Sequence, residues 1–271
     1  MNFKKSITVL LLYSFILFGF SSDCEVINTS FSADEEIVYK IQYNWGFIWL
    51  ETGEVVFTVK QEDNKGVPCY RLSGIGATYS SYDWIYKVRD RFESWVDTSS
   101  LKPFHYVRDV SEGGRLFYNE CFFNFRRQKA YCVTREQKKT PRLDTVSLAS
   151  CSFDPITMIY YSRNIDFSKC KVRDTIPISL FLDNKVYPLY IRYLGKDVSK
   201  LEHKSSFTCI KFSPLLVEGT IFKGGEGMIV WVTDDKNKIP LYVEAPIMVG
   251  TVKAKIVSWK NLRNKLDAKV K

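Results

Sequence analysis

The sequence predicts an all-β, mainly antiparallel protein with one short helix near residues 154–165. The strands would form either one large curved sheet, open and barrel-like, or two packed sheets. Three observations predict this class. Apolar and polar residues alternate in ten or more short runs, as they do along half-buried strands. Turns rich in glycine, asparagine and aspartate separate these runs. Aromatic residues make up 15% of the 271 residues, a share that suits pleated sheets.

The first 22 residues have the pattern of a secretory signal peptide. Lys4 and Lys5 form a basic start, an apolar run covers residues 7–20, and two serines offer small residues for cleavage. The run is short for a membrane span, and a retained amphipathic anchor is the alternative. We therefore predict an exported, periplasmic protein. Its predicted parts are a signal peptide over residues 1–22, a linker over 23–35, a single β domain over 36–260 and a basic tail over 261–271.

The charge of the chain limits its partners. The formal net charge is +9 and falls to +7 without Lys4 and Lys5. Basic residues are spread along the chain, and an exported protein meets envelope surfaces before DNA, so we predict no nucleic-acid partner. The excess favours anionic lipid or glycan only weakly, and a solvated surface is the simpler interpretation. No cofactor is indicated.

The first strands form a hairpin or meander. Residues 36–43 alternate, with Ile37, Tyr39, Ile41 and Tyr43 on one face. After a turn near residues 44–46, the alternation resumes over residues 55–59. A turn at residues 63–66 leads into a third strand, residues 68–76, whose two glycines suggest a bulge or bend.

Residues 82–97 (YDWIYKVRDRFESWVD) follow, and their alternation predicts one long strand with two distinct faces. Asp90 is the exception on the apolar face, and a buried carboxylate must be paired or heavily hydrogen-bonded. We therefore predict Asp90 to be a structural buried acid. The polar face carries Lys87, Arg89, Arg91 and Glu93. The apolar face carries Trp84, Tyr86, Val88, Asp90, Phe92 and Val96.

The charges around Asp90 allow two interpretations. In the structural one, Asp90 pairs with an inward-facing arginine, Arg108 or Arg163, and fixes the strand register. In the functional one, Arg89 and Arg91 line a groove and hold an anionic head group through their planar guanidinium groups. We prefer the structural interpretation, because most acids in this region are expected to be salt-bridge partners or turn formers.

Residues 104–135 predict three further strands and one disulfide. A turn at residues 111–114 separates the first two strands, and the chain reverses again at residues 126–129. In a symmetric reversal centred there, Cys121 and Cys132 fall opposite each other. We therefore predict a cross-strand disulfide between them, and the alternative is two cysteines packed as small apolar residues.

The remaining cysteines fit an oxidising compartment, although their connectivity stays open, because six cysteines allow 15 pairings. Cys24 directly follows the predicted signal and is a candidate lipid-modified residue, although Asp23 is a poor match to the small residue that such a site needs. Cys151 and Cys170 bracket the predicted helix and are candidates for a second bridge. No C-x-x-C pair occurs and only two histidines are present, so we predict no metal site.

Asp154-Pro155 predicts the start of the one convincing helix. Asp154 suits the N-cap and Pro155 suits the first helical position. Ile156, Ile159, Tyr160 and Arg163 share a face, so the helix should lie over a sheet. Alternation then returns, and further strands are predicted over residues 176–182, 186–194, 206–212, 227–233, 239–244 and 250–259.

Several motifs carry a resemblance to a known family. They are residues 82–97 with the following Leu101-Lys102-Pro103, residues 108–112, residues 153–155 with 160–163, residues 231–235, and residues 239–241 with 249–250. In this order they resemble the domain of unknown function 3108 (DUF3108), an envelope family of Gram-negative bacteria, over nearly all of the mature chain. The resemblance implies an exported, all-β, periplasmic domain. It implies no established activity, so no catalytic residue is carried over.

Catalytic chemistry has little support in the sequence. A serine hydrolase needs a nucleophile, a histidine and an acid, but only His105 and His203 are present and G-x-S-x-G is absent. Paired carboxylates could serve a glycosidase, yet the acids between residues 83 and 97 fall on different faces. The glycines at residues 224–227 precede a strand, so they form a turn and not a phosphate loop. We predict no catalytic residues.

The leading hypothesis is a non-enzymatic domain that binds an apolar or amphipathic ligand, such as a lipid or acyl chain, in the hollow of the curved sheet. The helix would act as a lid. The second hypothesis is a structural or protein-interaction module of the envelope, and the third is an envelope enzyme that acts on glycan. Peripheral or lipid-anchored membrane attachment, including that of an outer-membrane lipoprotein, is compatible with each. The candidate ligand-binding residues are Trp84, Tyr86, Arg89, Arg91, Trp95 and Trp231.

Overall fold

The computed structural model describes residues 26–45, 47–200, 205–218 and 224–270, and sixteen strands of these residues form one sheet. The helical elements are a 3-10 turn, Ser80–Tyr82, and two short helices, α1 Asp83–Tyr86 and α2 Pro155–Ser162. The strands are β1 Glu36–Trp45, β2 Ile48–Asn64, β3 Val67–Thr78, β4 Val88–Asp97, β5 Pro103–Glu112, β6 Arg115–Asn124, β7 Lys129–Glu136, β8 Arg142–Ser147, β9 Ser152–Phe153, β10 Thr175–Leu182, β11 Lys185–Lys200, β12 Ser206–Pro214, β13 Ile229–Thr233, β14 Pro240–Pro246, β15 Thr251–Lys260 and β16 Lys269–Val270.

The sheet is a single, unclosed array. Its strand order is β8-β7-β6-β5-β4-β3-β2-β1-β15-β14-β13-β12-β11-β10-β9, and β16 lies beside β12. The pairs are antiparallel except for β9 and β10, which run parallel. The all-β, mainly antiparallel class is therefore confirmed. Of the two predicted architectures, the large open sheet is the one that forms.

The chain builds this sheet as two meanders. β1 to β8 follow one another across one half, and β9 to β15 follow one another back across the other half. The two meanders join where β1 pairs with β15, for example Ile37 opposite Trp259. Mostly short connections link the antiparallel neighbours in each half, whereas the parallel strands β9 and β10 are joined through α2.

The helix α2 lies where the sequence predicts it. Asp154 is its N-cap and accepts a hydrogen bond from the Thr157 amide, and Pro155 occupies the first helical position. Ile156 and Tyr160 are buried, as predicted for the inward face, whereas Ile159 remains exposed. The helix contacts β3 and β4 on one side and β9 and β10 on the other.

Protein side chains fill the inner face of the sheet beneath α2. Ile156 and Tyr160 pack with Phe31, Leu72 and Val96 in one buried cluster. A second buried cluster joins the two meanders and contains Tyr106, Cys121, Phe123, Cys132 and Phe181. Two clefts formed by the described residues are open to solvent and contain charged side chains.

The stretch from Tyr82 to Asp97 is not one continuous strand. The strand β4 begins only at Val88, and residues 80–86 form the 3-10 turn and α1. A local hydrogen-bond network explains the difference, since the Asp83 carboxylate accepts bonds from Thr78 and Arg89 and so holds the chain in a helical turn. The charged face of the remaining strand forms as predicted, because Arg91 pairs with both Glu93 and Asp109.

The segments that flank the predicted β domain are packed against it. Residues 26–35, predicted as part of a linker, place Ser30, Phe31 and Glu35 in the interior. The predicted basic tail contributes β16, which pairs with β12, and the buried Ala268. Neither segment shows the regular alternation of a strand, so the pattern of the sequence gave no sign of this burial.

One predicted disulfide is confirmed and the other is wrong. Cys121 lies opposite Cys132 in the β6–β7 register, and their sulfurs are 2.13 Å apart. Cys151 is disulfide-bonded but Cys170 is a free thiol, so these two residues are not bridged to each other. An eight-residue helix separates its ends by about 12 Å, so bracketing a helix does not bring two cysteines together. Cys24, the lipidation candidate, lies outside the described residues.

Candidate functional site

Three connections meet at one end of the sheet. They are the β1–β2 connection, the segment from Tyr79 to Lys87 between β3 and β4, and the β14–β15 turn. The strand pairing brings them together, since Tyr43 lies opposite both Leu50 and Val252, and Gly53 lies opposite Thr78. The strands β1, β2, β3 and β15 therefore all terminate at the same edge.

This edge exposes a group of large apolar side chains, which we call the apolar end. Phe47 is 104% exposed, Trp84 is 82% exposed and Val249 is 74% exposed. Other exposed apolar side chains, such as Leu143 and Val172, are scattered along the chain, as in most soluble domains. A group of this size is a mark of a binding surface. The apolar end consists of Phe47, Ile48, Trp49, Trp84, Ile85, Tyr86, Met248 and Val249.

Specific contacts hold α1 in place at this end. Arg89 forms an ion pair of 2.6 Å with Asp83, which lowers the pKa of that carboxyl, and Trp84 donates its indole N–H to the Ser81 carbonyl at 2.9 Å. The Tyr86 ring lies against Gly113, where a Cβ atom would come within 2.6 Å of it. The aromatic side chains of α1 are therefore held outward by a fixed turn.

The other two connections support each other. The Tyr43 hydroxyl donates to the Val249 carbonyl at 3.2 Å, and the Lys253 ammonium lies 3.9 Å from the centre of the Trp49 ring. Gly250 has a φ of +83°, and a Cβ atom there would lie 2.7 Å from the Asn44 carbonyl oxygen. Glycine is required at this close approach.

The charges around the apolar end are largely balanced. Lys253 lies 3.4 Å from Glu244, and Lys40 lies 2.9 Å from Glu51. The opposite charges of Arg89 and Asp83 neutralise each other in the same way. Because these described charges are paired, contact with another surface would depend mainly on the apolar side chains.

The structure brings three of the six predicted ligand-binding residues to this end and places the others elsewhere. Trp84 and Tyr86 belong to the apolar end, and Arg89 fastens α1 beside them. The other three already have partners of their own, so they form no common groove. Arg91 pairs with Glu93 and Asp109, Trp95 stacks on His105 and donates to Glu62, and Trp231 donates to Asp197 beneath Lys211.

Sequence reasoning missed six of the eight residues of the apolar end, including Phe47, Met248 and Val249. The last three are the clearest case. These residues lie in turns, where the alternation of a strand gives no information about which way a side chain points. The available signal was their composition, because large apolar residues are unusual in the turns of a soluble domain. The structure places them at the same end of the sheet as Trp84 and Tyr86.

Asp90 faces inward but has no arginine partner. It is half-buried, accepts a hydrogen bond from the Ser111 amide at 3.2 Å and hydrogen-bonds with Glu112. Burial, and then the Glu112 charge, raise the pKa of Asp90 to about 7. The predicted pairing with Arg108 or Arg163 is wrong, because Arg108 pairs with Asp183 and Arg163 pairs with Glu35.

Among the described residues, Glu93 of β4 is buried, and the least exposed acids are Glu35 and Asp154. Asp154 accepts bonds from the hydroxyls of Ser94 and Thr157, each at 2.7 Å, in addition to the Thr157 amide. Burial raises the pKa of Asp154, although these hydrogen bonds oppose the shift. Both acids lie near α2, outside the strand that the sequence singled out.

The described residues contain neither a metal-binding cluster nor a membrane-spanning helix. Their side chains contain no group of three or more histidine, cysteine, aspartate or glutamate residues that could hold a metal ion. In the same part of the chain, no helix is long and apolar enough to cross a membrane.

The fold and its exposed end define a class of protein: an open, barrel-like, all-β domain with an internal helix. The chain belongs to the DUF3108 family, whose model, described as a protein of unknown function, matches residues 38–257. The solved structure of a β-barrel-like protein of the domain of unknown function DUF1849 from Brucella abortus is similar, with a TM-score of 0.56 and 10% sequence identity. The match covers 86% of this chain and 99% of that one, and it shows a shared fold. Among curated proteins, no sequence matches significantly.

Proposed function

We propose that this protein is an exported, non-catalytic module of the bacterial cell envelope that binds lipid at a membrane surface through its apolar end. The observation that carries the proposal is the outward projection of Phe47, Trp84 and Val249 from one edge of the sheet. Export is supported by the signal-like first 22 residues.

The interior of the sheet offers less support for a bound acyl chain. The inner face is covered by α2 and by the cluster around Phe31, Leu72 and Tyr160. An acyl chain needs an enclosed apolar cavity, whereas the two clefts named above are open and partly charged. Binding of lipid at the end of the domain needs no such cavity.

Two features favour a membrane over a protein as the partner. The exposed side chains project from the tips of separate connections, and a fluid lipid surface accommodates such tips without a matching groove. Tryptophan, tyrosine and lysine also lie together here, and these residue types gather at the interface between water and membrane. Each large apolar side chain that leaves water contributes about 1.5–3 kcal/mol, so three of them would sustain reversible attachment.

A structural or protein-interaction role is the second candidate. The same exposed group favours it, because apolar patches also mark contacts between proteins. A protein partner would need a complementary surface of about 800 Å². Failure of the vesicle experiment below would favour this role.

The glycan-acting enzyme receives no support from the carboxyl groups. Asp90 and Glu112 are the paired carboxyls of the inner face, but they hydrogen-bond directly to each other. Glycoside hydrolysis needs carboxyl groups about 5 Å or more apart, so that the sugar can lie between them.

Co-sedimentation with vesicles tests the proposal. The purified protein is mixed with vesicles of phosphatidylethanolamine and phosphatidylglycerol, and the bound fraction is measured. We expect the triple variant Phe47→Ser, Trp84→Ser and Val249→Ser to lose most of the binding. A control variant, Leu143→Ser, Val172→Ser and Val198→Ser, removes three other exposed apolar side chains, 55–77% exposed, from elsewhere on the domain and should bind as the wild type does. Equal losses in both variants, or no binding by the wild type, would contradict the proposal.

A further inference from the structure

Two carboxyl groups in contact lie next to the apolar end, on the inner face of the sheet. Glu112 lies opposite Val88 in the β4–β5 register, two positions along the strand from Asp90. Asp90 and Glu112 are therefore diagonal neighbours on one face, and their carboxyl groups hydrogen-bond to each other. On its other side, Asp90 lies opposite Gly76 of β3, which has no side chain. A hydrogen bond between two carboxyl groups needs a proton on one of them, so this contact holds one proton.

The carboxyl pair lies close to α1, which carries exposed aromatic side chains of the apolar end. The Gly113 amide, directly after Glu112, donates to the Lys87 carbonyl at the end of α1 at 2.9 Å. The Tyr86 ring lies against Gly113 as well. Burial, and then the charges of Glu112 and Asp90, raise the pKa of the Tyr86 hydroxyl, which places both carboxyl groups near this residue. The same strand ends therefore support α1 and hold the carboxyl pair.

The positive charges that face this pair come from β5 and β6. The Arg108 charge lowers the pKa of Asp90, but Arg108 itself forms an ion pair with Asp183 at 2.8 Å. Arg115, at the start of β6, lies 3.8 Å from Glu136. Among the described residues, neither arginine forms an ion pair with Asp90, so the charge of the carboxyl pair depends mainly on its own proton.

This proton leaves the pair near neutral pH. Burial, and then the Glu112 charge, raise the pKa of Asp90 from 3.8 to about 7. At lower pH the two carboxyl groups together carry one negative charge. At higher pH two negative charges lie side by side next to α1, and both require water.

Contact with a membrane favours the protonated pair. Lipid that covers α1 removes water from the neighbouring carboxyl groups, and loss of water disfavours the charged form of a carboxyl group. Membrane contact therefore strengthens proton binding. Linkage is reciprocal, so a surface that strengthens proton binding is itself bound more tightly by the protonated protein.

We propose that the Asp90–Glu112 pair makes attachment through the apolar end depend on pH, with tighter membrane binding when the pair holds its proton. This inference rests on the proposed attachment to lipid and adds its regulation. The ion pair on the other side of α1 has no such effect. Arg89 lowers the pKa of Asp83, so that this pair stays charged across the range in which Asp90 titrates.

Co-sedimentation at pH 5 and pH 8 tests the inference, with the vesicles of phosphatidylethanolamine and phosphatidylglycerol described above. We expect the wild type to bind about fivefold more tightly at pH 5. Asp90→Asn should bind equally at both pH values, because its amide does not titrate. Asp109→Asn, which changes an outer-face acid of β5 that pairs with Arg91, is the matched control and should keep the pH dependence of the wild type.

Three outcomes would overturn the inference. Equal binding of the wild type at pH 5 and pH 8 would remove the regulation and leave attachment to lipid in place. A pH dependence that persists in Asp90→Asn would assign it to other titrating groups. Absence of wild-type binding at both pH values would contradict attachment to lipid itself. Circular dichroism at each pH shows whether a variant is folded. Glu112→Gln, a second variant, should shrink the difference between the two pH values because it removes the charge that raises the pKa of Asp90.

Discussion

Arg163 and Glu35 form an ion pair in the interior of the protein, with their side chains 1% and 0% exposed. The contact is bidentate, with nitrogen–oxygen distances of 2.5 and 3.0 Å. Arg163 also donates to the carbonyls of Ser30 and Asn237. The pair therefore ties the chain just before β1 to the end of α2 and to the β13–β14 turn.

Breaking this pair should destabilise the fold strongly. Removing one partner leaves the other charge buried and unpaired, so Glu35→Gln or Arg163→Met should cost about 3–5 kcal/mol in the free energy of unfolding. Denaturant titration followed by circular dichroism measures the loss. The double variant should lose less than the sum of the two single variants. Additive losses would contradict a direct interaction between the two residues.

Asp90 should make stability depend on pH. Its pKa is raised from 3.8 in the unfolded chain to about 7 in the folded protein. The folded state therefore binds the Asp90 proton more tightly than the unfolded chain does. The stability that this proton contributes is fully present below about pH 4 and is lost as pH rises to about 7. Because Asp90 is only half-buried, we expect the effect to be on the order of 1 kcal/mol.

The variant Asp90→Asn isolates this contribution. Its free energy of unfolding should equal or fall below that of the wild type at pH 5. At pH 8 it should rise relative to that of the wild type, since the amide carries no charge to desolvate. Unfolding free energies at the two pH values measure the difference. An unchanged difference between variant and wild type at pH 5 and pH 8 would contradict the assignment.

The Cys121–Cys132 disulfide should contribute to stability mainly through the unfolded state. It closes a short loop, with a sequence separation of 11. Replacing both cysteines with alanine should cost roughly 2–3 kcal/mol, because the open chain gains conformational entropy. A thermal scan of the double variant measures this loss. The double variant Cys69→Ala and Cys209→Ala, which removes two buried free thiols, is the control for lost packing. Equal melting temperatures for the wild type and Cys121→Ala/Cys132→Ala would contradict the prediction.

Asp154 should be more than an ordinary helix cap. Replacing it with alanine removes the cap of α2 and the nearest acceptor of the buried hydroxyls of Ser94 and Thr157, which keep only longer bonds to the His105 carbonyl and to each other. The expected cost is about 2–4 kcal/mol, which combines a lost cap with unsatisfied polar groups. Asp154→Asn keeps one acceptor oxygen and should cost less. A loss below about 0.5 kcal/mol for the alanine variant, measured by denaturant unfolding, would be incompatible with this role.

Much of the fold could be predicted from local patterns. The alternation of residues 36–43 predicted a strand, and Asp154-Pro155 predicted the start of α2, because both signals depend on neighbouring residues alone. The Cys121–Cys132 disulfide was predicted from the symmetry of the chain reversal at residues 126–129. The pairing of β1 with β15 could not be predicted, since residues more than 200 positions apart meet there and no local signal encodes that register.

The candidate site was predictable only in part. Trp84 and Tyr86 were identified as ligand-binding residues, but on a strand face that would have turned them inward. The hydrogen bonds of Asp83 with Thr78 and Arg89 override that alternation and turn them outward. The burial of Phe31 was not predicted, because residues 26–35 show no regular alternation of apolar and polar residues.

The most direct test of the central claim, attachment to lipid through the apolar end, is quenching of tryptophan fluorescence by vesicles that contain brominated phospholipid. The double variant Trp49→Phe and Trp84→Phe keeps two apolar rings and removes the two tryptophans that belong to the apolar end, whereas Trp45, the last residue of β1, remains. We predict strong quenching of the wild type, with little sensitivity to salt because the local charges are paired, and loss of most quenching in the double variant. Absence of quenching in the wild type, or undiminished quenching in the double variant, would contradict the account.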